Sequence, residues 1–192
     1  IVGPRALLEQ WNGALTTLLT EEVLVYHGPI SRKLSDQAFN APSIVITTYG
    51  KISFNVREEP KQVHRATWDR IVYDEAHHLR NSKNNTFHGA MKLKADINWL
   101  MTGTPIQNKR SDFYSLCAAM KLPSQDYTKT ENLLPFARNF ILRRTKKEVG
   151  IMLPELSSHV RKVTWESEQE RTVAEDIHSG LSFSNITRCQ PI

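Results

Sequence analysis

Cysteine is scarce in this chain. Cys117 and Cys189 stand far apart and without metal-ligand spacing, which excludes a disulfide framework and points to a reducing compartment. Long apolar runs are missing as well: no stretch approaches the roughly 20 residues of a membrane span, and no amino-terminal signal segment is visible. There is no internal repeat and no low-complexity tract. An initiator methionine is also lacking, and a chain that opens on Ile1-Val2-Gly3-Pro4 reads as a piece, or the ordered part, of something longer. What is present is 192 residues with 40% hydrophobic content, enough for one good core and the start of another.

The net charge of +5 is mild but unevenly placed. Arg138, Arg143, Arg144, Lys146 and Lys147 match the whole surplus within one short segment that holds no acid. Such a segment can neutralise phosphates, or can be a solvated helix face or a connection between lobes.

Apolar runs and helical patterns alternate along the chain. Ile1-Val2 reads as the tail of a strand, and Pro4 sits where a helix can start without losing a hydrogen bond. Leu7, Leu8, Trp11, Leu15, Leu18 and Leu19 then share one helical face. Val23–Tyr26 reads as a buried strand closed by Gly28-Pro29, with a weaker helix over residues 34–39. Ser43–Gly50 reads as a strand ending in hydroxyls, where Thr47 and Thr48 can meet phosphate oxygens or serve as ordinary turn threonines. Residues 55–66 are polar and read as an exposed connection or helix. Residues 86–93 have room for about two helical turns. Ile97–Met101 reads as another core strand, interrupted by Asn98. Phe113, Leu116, Cys117 and Met120 follow the i, i+3, i+4, i+7 pattern of an amphipathic helix, which makes Cys117 a small buried hydrophobe. Residues 121–137 read as loop and short helix, residues 160–165 as a strand, and residues 166–178 as a helix. This alternation predicts an α/β fold with a largely parallel, doubly wound sheet.

The chemistry concentrates in Arg70-Ile-Val-Tyr-Asp-Glu-Ala-His-His-Leu-Arg-Asn81. A β-branched run there leads into Asp74 and Glu75, with His77 two residues on, as when a buried parallel strand delivers acids to its carboxyl end. Two hard carboxylates suit a hydrated magnesium ion that leans on substrate phosphates. By itself the pair reads more readily as a strand ending in a solvated acidic turn. A metal-dependent hydrolase using Asp74, Glu75, His77 and His78 is a further alternative, but the His-Glu-x-x-His spacing is absent and adjacent histidines do not easily face one ion.

The second motif, Trp99-Leu-Met-Thr-Gly-Thr-Pro-Ile-Gln-Asn108, decides between these readings. Together with Asp74-Glu-Ala-His77 it closely resembles motifs II and III of the Swi/Snf family, the double-stranded-DNA translocases of helicase superfamily 2. Ile1–Trp11 resembles motif Ia and Ile44–Tyr49 resembles motif Ib. Phe140–Val149 and Leu153-Pro-Glu155 resemble the segment that leads to a second lobe. The resemblance implies a RecA-like three-layer sandwich with a mostly parallel sheet, incomplete at both ends. Residues 1–164 would be the first motor lobe, and residues 165–192 a linker and the start of the second.

The resemblance also implies roles. Asp74 would hold magnesium through water, Glu75 would polarise the water attacking ATP, and His77 would sense the nucleotide. Thr102, Thr104 and Gln107, beside capping a Gly-Pro turn, would couple nucleotide state to the second lobe. Arg5, Thr47, Thr48, Arg80 and Asn81 would track the backbone of double-stranded DNA with little sequence preference. Implied partners are duplex DNA, the second lobe and chromatin or transcription proteins; the implied location is intracellular, nuclear in a eukaryote, with no membrane. The G-x-x-x-x-G-K-[ST] phosphate-loop pattern occurs nowhere in the chain, and no arginine finger is identified, a group contributing roughly 10³–10⁵ in rate in related systems. The segment alone is therefore expected to be inactive. A module that keeps only DNA or protein binding is the alternative.

Overall fold

The computed structural model describes residues 1–106, 109–146, 148–152, 157–159 and 167–180. The chain divides into two compact units, Ile1–Leu142 and Arg143–Ile192. In the first, strands β1 (Val2–Gly3), β2 (Val23–Tyr26), β3 (Ile44–Thr48), β4 (Thr67–Asp74) and β5 (Lys94–Met101) form one sheet in the order β2-β3-β1-β4-β5. Every pairing in it is parallel, as the alternation of strands and helices predicts.

The helices follow from local signals. α1 (Leu8–Leu18) begins after Pro4 and a 3₁₀ turn at Arg5–Leu7, and packs on β2 and β3. Short helices α2 (Ile30–Lys33), α3 (Asp36–Asn40), α4 (Tyr49–Ile52) and α5 (Gln62–Arg65) fill the connections between β2 and β4. Ser35 caps α3 by accepting from the Ala38 N–H at 3.1 Å, and Asn84 caps α6 (Asn85–Lys92) by accepting from Phe87 N–H at 2.8 Å. α7 (Arg110–Ala119), α8 (Ser124–Thr128) and α9 (Leu133–Phe140) complete the unit.

The strands that flank β1 supply the core. Val45 and Ile46, on opposite faces of β3, are both buried, the signature of a parallel strand covered on two sides. In β4, Ile71 and Tyr73 are buried and join Val2, Ile52 and Leu79 in the main cluster. A second cluster of Cys117, Tyr127 and Phe136 packs with Phe113 and Tyr114 largely through tilted and edge-on rings. Cys117 is fully buried, in agreement with its place on the helical pattern.

Three expectations need correction. Val23–Tyr26 is a strand, but β2 lies at one edge of the described sheet and only its Tyr26 is buried. Ile97–Met101 is not a core strand: β5 starts earlier, at Lys94, and lies at the edge of the described sheet. Its Ile97, Trp99 and Met101 side chains are 40%, 53% and 44% exposed. Arg70 of β4 lies over the Trp99 ring at 4.4 Å on that open face. The polar segment 55–66 is not wholly exposed either, because α5 buries Val63 and His64 beneath it.

In the second unit, the Glu148 carboxylate accepts from the Thr145 N–H at 2.6 Å and its hydroxyl at 2.8 Å. α10 (Glu168–Gly180) covers the expected helix, with Arg171 bridging Glu168 at 3.9 Å and Glu175 at 3.0 Å. Of the basic segment, Arg138 lies in the last turn of α9, where a cation is favoured. Arg143, Arg144 and Lys146 are exposed. Lys147, Leu153-Pro-Glu155 and the strand expected at residues 160–165 lie outside the described residues.

Candidate functional site

Register brings the sequence motifs to one edge. Val2 pairs with Thr47 and Tyr73, and Gly3 with Thr48. Asp74 stands opposite Met101. The carboxyl ends of β1, β3, β4 and β5 therefore converge, bringing Pro4-Arg5, Thr48-Tyr49, Asp74-Glu75 and Thr102 to the same edge. From β1 the chain crosses to β2 on one side of the sheet, whereas from β4 it proceeds to β5 on the other. The crevice between β1 and β4 is thus a topological switch point, where open α/β sheets bind their ligands.

Asp74 is held from several directions. Its Oδ1 accepts from the Glu75 N–H at 2.9 Å. Its Oδ2 accepts from the indole N–H of Trp11, on α1, at 2.8 Å. Its carbonyl accepts from the Tyr49 hydroxyl at 2.7 Å. A carboxylate has about four lone-pair sites, so two stay open on an acid whose orientation is set. That donor set fits a hydrated magnesium ion, which takes hard oxygen and keeps its waters. Gly3 lies close by; a Cβ there would stand 3.6 Å from the Asp74 Cβ, ordinary contact.

Glu75 turns the chain out of the sheet in the left-handed region, at φ 50° and ψ 49°. A non-glycine residue held there costs roughly 1–3 kcal/mol, and such strain gathers at functional sites. The turn starts a 3₁₀ segment, Ala76–Leu79, anchored by fully buried Ala76 and Leu79. His77 Nδ1 approaches Glu75 Oε2 to 3.1 Å, although without the alignment of a hydrogen bond.

Three rings form a ladder beside the acids. His77 stacks on His78 with centroids 4.8 Å apart, and His78 in turn lies 4.8 Å from Tyr49. Burial, with His77 and Arg80 adding, lowers the His78 pKa against the pull of Glu75. Burial, followed by Tyr73, Asp74 and Glu75, raises the Tyr49 phenol far above its ordinary range. Tyr49 therefore keeps its proton, and so its bond to Asp74, at any physiological pH.

The other candidates divide. Thr102 follows β5 directly, beside Asp74-Glu75, and its hydroxyl accepts from Thr104 N–H at 3.2 Å, closing the Gly-Pro turn. Gln107 lies outside the described residues. Arg5, Arg80 and Asn81 are exposed, and the Asn81 side chain accepts from Lys83 N–H at 3.0 Å. Thr47 and Thr48 are buried, at 4% and 7% exposure, and Thr47 donates its hydroxyl to the Tyr26 carbonyl at 2.9 Å. Thr47 thus ties β3 to β2. The motifs gave no role to Trp11, Tyr49 or His78. The pattern read Trp11 as one apolar residue on a helical face, because a bond between residues so distant in the chain leaves no local trace.

The chain is similar to known proteins in sequence and in fold. The "DNA repair protein RAD5B" of Arabidopsis thaliana is 38% identical over 121 residues, 60% of this chain and 9% of that protein. The mouse "Helicase-like transcription factor" is 28% identical over 205 residues, 92% of this chain and 20% of that protein. The chain thus spans no more than about a fifth of the length of these relatives. A solved structure, "Sulfolobus solfataricus SWI2/SNF2 ATPase core in complex with dsDNA", matches with TM-score 0.61 at 23% identity, over 100% of this chain and 43% of that one. This likeness establishes the RecA-like fold expected from the motifs. The family model for the SNF2-related domain matches residues 1–124, and with the motifs at one sheet edge the chain belongs to the Swi/Snf, or SNF2-related, family.

Proposed function

We propose that this chain is part of a magnesium- and ATP-dependent motor that tracks double-stranded DNA by its backbone. The observation that carries the reading is the Asp74–Glu75 pair at the β1/β4 switch point, with the Asp74 carboxylate oriented and two of its lone-pair sites open. Magnesium, when bound, supplies charge to neutralise the phosphates. Asp74 would hold the ion, and Glu75 would orient and polarise the water that attacks the γ-phosphate. His77, in contact with Glu75, reports that acid's state. Thr102, Thr104 and Gln107 carry it toward a second lobe. Arg5, Arg80 and Asn81, which are exposed, meet the duplex backbone, while Thr47 and Thr48, expected beside them, are buried in the sheet.

Two likenesses support this reading. The solved relative is an ATPase core in complex with double-stranded DNA, and the sequence relatives bear repair and transcription names. Those names also support a nuclear setting and chromatin or transcription partners. The phosphate-loop pattern is absent from these 192 residues, so the segment alone is proposed not to turn over ATP.

The test is ATP hydrolysis by the full natural chain that carries these residues, with and without duplex DNA, beside Glu75→Gln. Strong stimulation by duplex that disappears in Glu75→Gln is the expected result. Duplex binding with no turnover above that variant would leave a binding scaffold.

A further inference from the structure

We propose that Trp11 and Tyr49 are positioning residues for the Asp74 carboxylate, holding it in the one orientation that serves a magnesium–nucleotide complex. The inference rests on the proposed ATPase reading. The two contacts come from elements that follow strands on the same side of β4 in the order, α1 after its neighbour β1 and α4 after β3. The Trp11 indole donates to Oδ2 at 2.8 Å and the Tyr49 phenol to the Asp74 carbonyl at 2.7 Å.

The geometry is specific to these residue types. An aspartate at a strand end can turn about its side-chain torsion and present either oxygen. The Glu75 N–H engages one oxygen and the Trp11 N–H the other, and between them they remove that freedom. Phenylalanine at position 11 fills a similar apolar volume and donates nothing. Tyr49 acts one step back. Its bond to the carbonyl fixes the peptide that leads into Glu75 at φ 50°, a conformation the chain does not hold by itself. The bonds shown for both side chains run to Asp74 itself. Both act through the acid, as the outer partners of metal ligands do, and changes in such partners typically lower metal affinity or activity roughly 10- to 100-fold.

The experiment compares nucleotide affinity with magnesium and with EDTA, using a fluorescent ATP analogue and the full natural chain. The quantity read is the ratio of Kd in EDTA to Kd in magnesium. Trp11→Phe is expected to lower this ratio about 10-fold or more, while the Kd in EDTA and duplex binding without nucleotide stay at their original values. Tyr49→Phe is expected to act in the same direction. In an Asp74→Asn background Trp11→Phe is expected to have no further effect, because interactions that act through one group are not additive.

An unchanged ratio in Trp11→Phe and Tyr49→Phe, with a collapsed ratio in Asp74→Asn, overturns the positioning role and leaves the ATPase reading standing. Equal loss of affinity in EDTA and in magnesium also overturns it, since that is loss of packing alone. If Asp74→Asn itself keeps the full ratio, the magnesium reading fails and the proposal falls with it.

Discussion

His64 is a histidine the fold keeps neutral. The residue is 2% exposed, its Nε2 lies 3.0 Å from the Ile52 carbonyl, to which the N–H donates, and its ring sits edge-on to Phe54. Burial is the main cause that lowers its pKa below 6.5, with Lys61 and Lys92 adding, while the Ile52 and Gly89 carbonyls oppose without reversing it. In the unfolded chain the imidazole takes its proton near pH 6.5, so on acidification that state binds more protons than the folded one. The stability His64 contributes is therefore full above about pH 6.5 and is lost as the pH falls through the lowered folded value. Thermal unfolding followed from pH 7.5 to 5 should show this slope, and His64→Gln should flatten it. Cys117 makes the opposite case of a group set aside from chemistry. Burial pushes its thiol up to about 12, so peptide mapping after alkylation should find it unmodified in the native protein and modified only on denaturation.

Between elements, the same substitution has opposite effects in two helices. Gly89 of α6 packs against α4 so closely that a Cβ would stand 1.7 Å from the Ile52 carbonyl oxygen and 2.6 Å from its carbon. Backbone cannot yield as a side-chain tip does, and overpacking typically costs about 1–3 kcal/mol, occasionally more. Helix propensity returns only about 1 kcal/mol. Gly89→Ala, with the clash against backbone, is thus expected to destabilise by up to about 2 kcal/mol and to loosen the α4–α6 contact. Gly13 of α1 has nothing within 4 Å of an added Cβ, and Gly13→Ala should stabilise by about 0.5–1 kcal/mol. Denaturant unfolding checks both signs. β5 shows the limit of local pattern at this scale: alternation identifies a strand, but an apolar run reads alike for a buried strand and an edge strand. Only the pairing order distinguishes them, leaving Trp99 to pack against Arg70 instead of a second layer.

For the molecule as a whole, the basic surplus and the exposed cations of the sheet edge predict binding governed by phosphates. Arg80 is exposed two residues after His78 of the His77–His78 stack. If it meets a phosphate, Arg80→Ala should weaken duplex binding by a similar factor for unrelated sequences. It should also reduce the slope of log K against log salt by about 1. Titrations at several salt concentrations with two unrelated duplexes check this, and a sequence-dependent loss would assign Arg80 to base contact instead.

Much of this protein was legible in its residues. The alternation of apolar runs with helical stripes specified a parallel α/β sheet. Asp74-Glu-Ala-His77 and the Thr102-to-Asn108 motif specified the family, because spacing along the chain is a local property. The tertiary structure alone decided which groups hold those motifs in place. Trp11 reaches Asp74 across 63 positions, Thr47 turns its hydroxyl inward to Tyr26, and Glu75 enters the left-handed region. Each depends on strands far apart in sequence lying side by side in the order β2-β3-β1-β4-β5, and that order follows from burial summed over the whole sheet rather than from any one segment.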